Sequence, residues 1–265
     1  VACVLGCRAM NQQVFYDDIA SYYDMIFHDW EASMRIHAEM VCKALQIPDS
    51  KNKGEVRILD VAAGIGTQAL PLAGLGFDVV ARDLSPKAIL RLQEEAGKRC
   101  VAIDAAVADM RSVGDSVEGL FDAVIALDNA IPHILTDAEI VESLRGFSRL
   151  LKPGGKLIFS VRDYSKVDRR PTSEHPYGER TRDGKTFQIG QRWRWVNETN
   201  YRTTMVISEK AGESWRDVVQ TEAEYYAITI PRLLELMAES KGYVDCRTLD
   251  LPFFQPLLGA TRSED

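Results

Sequence analysis

The sequence predicts an α/β fold with a doubly wound, mostly parallel sheet, and two observations carry this prediction. Short apolar runs alternate with helix-like segments between residues 56 and 161, which is typical of repeated β-α-β units. A glycine-rich turn, Gly64-Ile65-Gly66, directly follows the first of these runs. Ligands bind beyond the carboxyl ends of the strands in such sheets, so we expect the functional site at that edge.

The parallel part is preceded by a helix. Apolar residues recur at helical spacing from Asp29 to Leu45 and predict one amphipathic helix there. After it we expect a strand at 56–60, a helix at 68–75, a strand at 77–81, a helix at 86–98, strands at 101–107 and 121–127, a helix ending near 151, and a strand at 156–161.

Local signals mark several boundaries. Ser85 followed by a proline predicts the N-cap and first turn of one helix. Thr136 with Glu139 forms a capping box for the next. The break at residues 152–155, Lys-Pro-Gly-Gly, predicts a turn before the last parallel strand.

Residues 185–228 follow a different pattern. Three segments of alternating character, separated by turn-rich stretches, predict an inserted antiparallel β-meander. The meander is rich in tryptophan, and we expect it to cover an acceptor site or to form the interface of a homo-oligomer. A helix from Pro231 and two short strands complete the chain. We divide the chain into an N-terminal extension, 1–15, and one domain, 16–265.

Composition narrows the function. The net charge of −7 over 265 residues argues against nucleic-acid binding by bulk electrostatics. No stretch approaches the roughly 20 apolar residues that would span a bilayer, so we expect no membrane partner. The five cysteines lack metal-ligand spacing, which predicts reduced thiols, a cytoplasmic location and no metal site.

Acidic residues accompany the glycine turn in a specific arrangement. Asp60 lies four positions before Gly64, Asp83 ends the next predicted strand, and Asp109 follows the third. With the Pro-Gly-Gly turn, this pattern resembles class I S-adenosylmethionine (SAM)-dependent methyltransferases over nearly the whole chain from Phe15 onward. The resemblance implies a Rossmann-like fold and SAM as the cofactor, with S-adenosylhomocysteine as its product.

The chemistry of SAM suits these positions. Asp83 can accept both ribose hydroxyls, and Asp109 can accept the adenine amino group, with Met110 as an apolar plate against the ring. We expect Asp60 to organise the loop. Further cofactor-binding candidates are Ala63, Gly64, Gly66, Leu84 and Leu127. The resemblance also implies that Tyr22, Trp30 and Arg35 cover the cofactor, with Arg35 as partner of the SAM carboxylate.

A dinucleotide-dependent dehydrogenase is the alternative for the glycine turn. The run GIGTQA fits the dinucleotide fingerprint, and Asp83 lies at about the expected distance for a ribose contact. Such a domain seldom begins with some 50 mainly helical residues. It also does not call for the Asp109-Met110 pair, so the methyltransferase interpretation is favoured.

The acceptor site is predicted after strands four and five. The runs at 127–133, LDNAIPH, and 160–164, SVRDY, resemble those of glycine and sarcosine N-methyltransferases, G-N-S-x-x-H-L and R-N-Y-D. The resemblance implies that Arg162 holds an amino acid carboxylate and that Asn129 positions it. Tyr164 is a third catalytic candidate, and Tyr16, Tyr201 and Tyr226 are other hydroxyls that could orient an amine.

Departures from the family pattern leave the acceptor open. Asp128 and Ala130 replace the glycine and serine of the first run. In the second run, Asp163-Tyr164-Ser165 stands where the family has Asn-Tyr-Asp. The added negative charge of Asp128 and Asp163 would favour a cationic amine.

The sequence therefore predicts methylation of a small molecule, with nitrogen of a glycine- or sarcosine-type acceptor favoured. An O- or C-methyltransferase remains an alternative, which a base role for His133 would strengthen. A SAM-binding protein without catalysis is another. RNA or protein methylation is disfavoured by the acidic charge.

Overall fold

The computed structural model describes residues 12–47 and 52–264. The α-helices are α1 (Gln12–Ile19), α2 (Trp30–Leu45), α3 (Ala69–Gly74), α4 (Pro86–Lys98), α5 (Asp137–Leu150) and α6 (Ile230–Glu239). The strands are β1 (Arg57–Asp60), β2 (Asp78–Asp83), β3 (Asp104–Val107), β4 (Phe121–Ala126), β5 (Leu151–Ser160), β6 (Thr172–Arg182), β7 (Lys185–Trp195), β8 (Asn200–Ala211), β9 (Ser214–Tyr226), β10 (Tyr243–Leu249) and β11 (Leu257–Arg262).

Seven strands form the main sheet in the order β10-β11-β5-β4-β1-β2-β3. Strands β1 to β5 are parallel, whereas β11 runs antiparallel to β5 and β10 antiparallel to β11. The chain moves outward in one direction from β1 to β3 and then returns to β4 on the other side of β1. The ends of β1 and β4 are therefore the switch point at which such folds bind ligands. The predicted fold class is confirmed.

Helices cover both faces of this sheet. Successive residues of β1 show why: Ile58 packs in the core shared with α2, α3 and α4, whereas Leu59 packs in the core shared with α1, α5 and α6. Both side chains are fully buried. A parallel strand buried on both faces explains the continuous apolar run in the sequence. Within the described ranges, no helix is long and apolar enough to cross a membrane.

The second sheet has four antiparallel strands in the order β6-β7-β8-β9. The meander prediction was right for β7, β8 and β9 but placed its start at 185, whereas β6 begins at Thr172. Strand β6 is a polar edge strand interrupted by an irregularity between Pro176 and Gly178. Proline and glycine are tolerated at edges and bulges, and they hid this strand from the sequence pattern.

Two other boundaries differ from the predictions. Strand β5 begins at Leu151 and contains the predicted Pro-Gly-Gly turn as a bulge: Gly154 has φ +75°, and the register against β4 shifts between the pairs Phe121–Leu151 and Ala123–Lys156. Helix α1 begins at Gln12, inside the predicted extension 1–15, and its Phe15 is only 1% exposed. The rest of that extension, residues 1–11, lies outside the described residues.

Candidate active site

The loop after β1 is fixed by the acids that the sequence singled out. Asp83 accepts a hydrogen bond from the Gly64 N–H at 2.8 Å and a second from Ser85 at 2.9 Å. Gly64 adopts φ +53°, and a Cβ placed there would meet no atom within 4 Å. Gly66 adopts φ +98°, and a Cβ there would lie 2.6 Å from Leu70. One glycine thus faces open space and the other faces the first turn of α3.

Above this turn lies a first cavity, which we call the loop cavity. Seven predicted cofactor residues line it: Ala63, Gly64, Asp83, Leu84, Asp109, Met110 and Leu127. Residues that the sequence did not assign to the cofactor also line it: Gln12, Tyr16, Tyr23, Thr67, Asp128 and His133. The carboxyl ends of β1, β2, β3 and β4 therefore meet at one concave surface, as the parallel topology requires.

Asp109 is engaged by its own neighbour. Its carboxylate caps the following 3₁₀ segment through the Arg111 N–H and accepts the Arg111 guanidinium at 2.5–3.0 Å. Burial would raise the pKa of this carboxyl, but the contacts with Arg111 lower it below its ordinary value, so the group is anionic. Asp109 can accept an adenine amino group only with its remaining lone pairs or after Arg111 moves.

Asp60 lies beneath the loop and is fully buried. One oxygen accepts from the Ala62 N–H at 3.2 Å, while Oδ2 has no hydrogen-bond partner within the described part of the chain. Burial raises the pKa of Asp60 to about 8, and the charges of Asp83 and Asp128 add to that effect. A cation at the loop would relieve this repulsion and favour the ionised form.

Four predicted cofactor residues do not line the loop cavity: Gly66, which faces Leu70, and Tyr22, Trp30 and Arg35. Trp30 lies behind the loop cavity and donates its indole N–H to Thr67 Oγ1 at 3.0 Å. Tyr22 packs against Phe187 of β7. Arg35 is on the exposed face of α2, so the geometry does not support its predicted pairing with the SAM carboxylate.

The turn after β4 has an unusual backbone. Asp128 and Asn129 are consecutive residues with φ values of +55° and +66°, a region that aspartate and asparagine tolerate better than most residues. Asn129 Oδ1 accepts from the Arg162 backbone N–H at 2.8 Å, and its Nδ2 donates to the Tyr164 hydroxyl at 2.8 Å. Asn129 thus joins the ends of β4 and β5, which supports its predicted role as a positioning residue.

Arg162 projects into an aromatic cluster of the second sheet. Its guanidinium lies 4.5 Å from the Trp193 ring centre and donates to the Tyr201 hydroxyl at 3.2 Å. Tyr201 and Tyr164 are hydrogen-bonded at 3.0 Å and buried. Burial alone would lower the pKa of Arg162, but these hydroxyls raise it, so the group stays cationic. Within residues 12–47 and 52–264 the guanidinium has no carboxylate partner.

A second cavity of about 880 Å³, the aromatic cavity, lies between α1, α2, the β4 turn and the second sheet. Asn129 and Arg162 line it, whereas Tyr164 supports its wall from behind. Most of its surface is aromatic or apolar, including Phe15, Tyr23, Phe27, Tyr177, Tyr225 and Phe254. Tyr16, Tyr23 and Asp128 line both cavities. The two cavities are thus neighbours across one shared wall.

Other candidates are placed as follows. His133 is buried and its Nε2 lies 2.6 Å from the Tyr16 hydroxyl; burial lowers its pKa to about 3, so it is neutral. Tyr226 points away and donates to Asp137, while the neighbouring Tyr225 lines the aromatic cavity. Residues one apart on a strand face opposite sides, so the structure places Tyr225, and not the sequence candidate Tyr226, at this cavity.

Lys166 forms an ion pair with Asp163 and offsets its negative charge near the predicted acceptor site. The two side chains form an ion pair at 2.9 Å, and Ser165 and Lys166 lower the pKa of the Asp163 carboxyl below its ordinary value. Asp163 is therefore already paired with a cation. Of the two acids that the sequence singled out near the acceptor, only Asp128 lies on the shared wall.

The loop cavity fits SAM. The open face of Gly64 offers backbone to a ligand, and Asp83 retains lone pairs for ribose hydroxyls after accepting two N–H groups. The carboxylates of Asp83, Asp109 and Asp128 line the cavity and suit the cationic sulfonium and ammonium groups of SAM, and the orphaned Oδ2 of Asp60 lies beneath them. When bound, SAM supplies an electrophilic methyl group on sulfur.

Comparison with known proteins agrees with this fold. Residues 58–155 match the family described as "Methyltransferase domain". The chain is 31% identical over 156 residues to the glycine/sarcosine N-methyltransferase of Parasynechococcus marenigrum, covering 59% of this chain and 53% of the relative. The enzyme of that name from Halorhodospira halochloris is 30% identical over 56% of this chain and 54% of its own length. The chain spans about half the length of these curated relatives.

Solved structures show the same fold over the whole chain. The SAM-bound amino pentose methyltransferase of calicheamicin biosynthesis from Micromonospora echinaspora has a TM-score of 0.71 at 20% identity, covering 97% of this chain and all of that one. A sugar N-methyltransferase from a Streptoalloteichus species has a TM-score of 0.72 at 18% identity, covering 100% and 98%. The resemblance found in the sequence is confirmed: residues 58–155 match a methyltransferase domain, and the chain has the fold of solved SAM-dependent methyltransferases.

Proposed function

We propose that the protein is a SAM-dependent methyltransferase that methylates the nitrogen of a small amine carrying a carboxylate, of glycine or sarcosine type. One observation carries the choice of acceptor. Arg162 is an enclosed cation at the wall of the aromatic cavity, with hydroxyl and aromatic partners but no carboxylate partner in the described ranges. An enclosed guanidinium of this kind favours an anionic ligand.

The shared wall between the cavities supports methyl transfer from one to the other. A cofactor in the loop cavity and an acceptor in the aromatic cavity would both contact Tyr16, Tyr23 and Asp128. The protein's contribution is alignment, because an amine needs no strong base once it has lost a proton. Arg162 fixes the carboxylate end, and Asn129 holds Arg162 and Tyr164 in register.

The two curated relatives described above support nitrogen as the target, since both are named as glycine/sarcosine N-methyltransferases. A neutral, buried His133 hydrogen-bonded to Tyr16 gives no comparable support to an oxygen acceptor. The free thiols of Cys42, Cys100 and Cys246 support a cytoplasmic location. A homo-oligomer through the second sheet remains part of the proposal, as does the absence of a nucleic-acid partner.

The test is turnover. Purified protein is incubated with SAM and separate pools of glycine, sarcosine, dimethylglycine, other amino acids and biogenic amines, and S-adenosylhomocysteine release is measured. We expect release with a carboxylate-bearing amine, and Arg162→Ala should lower kcat/KM at least about 30-fold because a buried charged contact is lost. Arg194→Ala, an exposed arginine of β7, is the matched control and should behave like wild type.

Three outcomes would overturn parts of this proposal. Release that survives Arg162→Ala would remove the carboxylate clamp. Release only with oxygen or carbon acceptors would favour the O- or C-methyltransferase alternative. SAM binding without release from any pool would favour a non-catalytic SAM-binding protein.

A further inference from the structure

His37 is a buried residue of the aromatic cavity that the sequence did not single out. It lies on the inner face of α2 and is 2% exposed. Its Nδ1 is 2.6 Å from the Ser33 carbonyl oxygen, and its Nε2 is 2.8 Å from Asp128 Oδ1. The rings of Phe27 and Phe253 contact it edge-on and exclude water. The imidazole is therefore held by two oxygen atoms in an apolar setting.

Each of the two contacts between the imidazole and an oxygen atom requires a hydrogen between the two atoms. A carbonyl oxygen only accepts, so Nδ1 must carry a hydrogen. An ionised carboxylate also only accepts, so Nε2 must carry one as well, or Asp128 must be protonated. The pair thus holds one proton more than a neutral histidine beside a carboxylate. Burial would lower the pKa of His37, but Asp128 and the Ser33 carbonyl raise it above its ordinary value, with a smaller contribution from Asp60.

Asp128 is built to present its carboxylate to both cavities. Its backbone N–H donates to Ser160 Oγ at 2.8 Å, and Ser160 donates to Gln255 at 3.0 Å. Oδ1 is taken by His37, while within the described chain Oδ2 accepts no hydrogen bond. The residue lines both the loop cavity and the aromatic cavity. One carboxylate oxygen is thus available where the reacting nitrogen would lie.

We propose that Asp128 binds the acceptor's ammonium group and that His37 is a positioning residue whose protonation tunes this binding. The inference rests on the proposed function, because Arg162 would hold the other end of the same acceptor. Protonated His37 neutralises Asp128 and competes with the ammonium. Neutral His37 leaves Asp128 with its full negative charge. Affinity for a cationic acceptor therefore rises with pH as His37 loses its proton, in a window above the ordinary histidine range.

Other titratable groups face His37 and Asp128, and their contributions to a pH dependence must be distinguished from that of His37. Asp60 lies toward β1, and Tyr23 and Tyr177 approach Asp128 from the 3₁₀ segment after α1 and from β6. Burial raises the pKa values of both tyrosines, which keeps them neutral. Arg162 and the paired Asp163 and Lys166 also line the cavity. Burial raises the pKa of Asp60 to about 8, so its titration must be distinguished from that of His37.

The experiment uses two probes of the same shape. Trimethylglycine carries a fixed positive charge and a carboxylate, and 3,3-dimethylbutanoate replaces its nitrogen with carbon. Neither probe changes charge between pH 6 and 9, so any pH dependence belongs to the protein. Binding to the full chain saturated with S-adenosylhomocysteine is measured by calorimetry over that range.

We expect wild type to prefer trimethylglycine by about tenfold at high pH, because one charge pair in a partly buried site is gained. The preference should shrink as pH falls. Asp128→Asn, which suits the positive φ, should abolish the preference at every pH. His37→Gln, which keeps a donor toward Asp128 but cannot titrate there, should make the preference independent of pH. Circular dichroism spectra and urea unfolding like those of wild type show that both variants are folded, and each variant is measured at a saturating concentration of S-adenosylhomocysteine.

Each other result overturns a defined part of the argument. Equal binding of the two probes by wild type would refute ammonium recognition by Asp128 and leave the proposed function standing. A pH step that persists in His37→Gln would belong to Asp60 and refute the role of His37. Binding of neither probe, with S-adenosylhomocysteine bound, would refute the Arg162 site and this inference with it.

Discussion

The two cavities of this protein are built by different means. The loop cavity is made by short turns at the ends of adjacent parallel strands, and its polar groups are backbone N–H groups and carboxylates. The aromatic cavity is made where α1, α2 and the β4 turn meet a second sheet, and its main charged contact is the enclosed Arg162. One cavity offers acceptors and negative charge, and the other offers a cation among rings.

This difference separates two kinds of recognition. A ligand with positive charge and hydroxyl donors suits the first cavity, and a ligand with a carboxylate suits the second. Asp128 lies on the wall that the cavities share and belongs to both. Variants that damage one cavity should therefore leave the other intact, except at that wall. The following predictions use this independence, from the largest expected effect to the smallest.

Asp83→Asn should have the largest effect, which is on the binding of SAM in the loop cavity. The loss of charge weakens the acceptor that we expect to bind the ribose hydroxyls, and it weakens the hydrogen bond from the Gly64 N–H. Two charged hydrogen bonds are affected, so the Kd for SAM should rise about 100-fold. Calorimetry with SAM measures this effect, and 3,3-dimethylbutanoate binding should be unchanged.

A matched control lies at the other end of the same strand. Asp78 is exposed and forms an ion pair with Arg57 at 3.2 Å, so Asp78→Asn should leave the Kd for SAM unchanged. An unchanged Kd in Asp83→Asn would mean that the ribose is not held at the end of β2.

Replacing either glycine of the loop with alanine should lower the free energy of unfolding, but by different amounts. Gly66→Ala puts a Cβ within 2.6 Å of Leu70 at φ +98°, and we expect it to lower the free energy of unfolding by about 3 kcal/mol. Gly64→Ala meets no neighbouring atom and should lower it by only about 1 kcal/mol for the left-handed backbone. Urea unfolding followed by circular dichroism compares them. Equal losses would refute the close packing assigned to Gly66.

The same contrast explains what the sequence predicted. Asp60, Asp83 and the glycines lie within a few residues of the turns they form, so spacing along the chain identified them. Seven of the predicted cofactor residues line the loop cavity for that reason. Local backbone geometry is readable from local sequence, whereas the hydrogen bond from the Gly64 N–H to Asp83, 19 residues along the chain, depends on the pairing of β1 with β2.

The aromatic cavity depends on contacts between distant segments. His37 reaches Asp128 across 91 residues, and Tyr201 reaches Arg162 across 39. Nothing in the pattern of α2 distinguishes His37 from an ordinary core residue, and Arg35, chosen instead, falls on the exposed face. Helical phase relative to the sheet decides which of the two faces the cavity. The apolar stripe of α2, which includes Met34 and Val41, places His37 on the buried face and Arg35 off it. Helical spacing was therefore a signal for His37, whereas its contact with Asp128 depends on packing.

Tyr201→Phe should weaken acceptor binding in the aromatic cavity while leaving SAM binding in the loop cavity unchanged. The ring and its stacking on Tyr225 are kept, but the Arg162 guanidinium and the Tyr164 hydroxyl each lose a partner. We expect acceptor KM to rise about tenfold and the free energy of unfolding to fall by about 1 kcal/mol, with the Kd for SAM unchanged. Tyr243→Phe removes another buried hydroxyl, bonded to the Leu144 carbonyl away from both cavities, and should cost similar stability without raising KM. Of the two tyrosines, Tyr201 contacts Arg162 and Tyr243 does not. A similar rise in KM in both variants would therefore mean that the effect comes from general loosening of the fold.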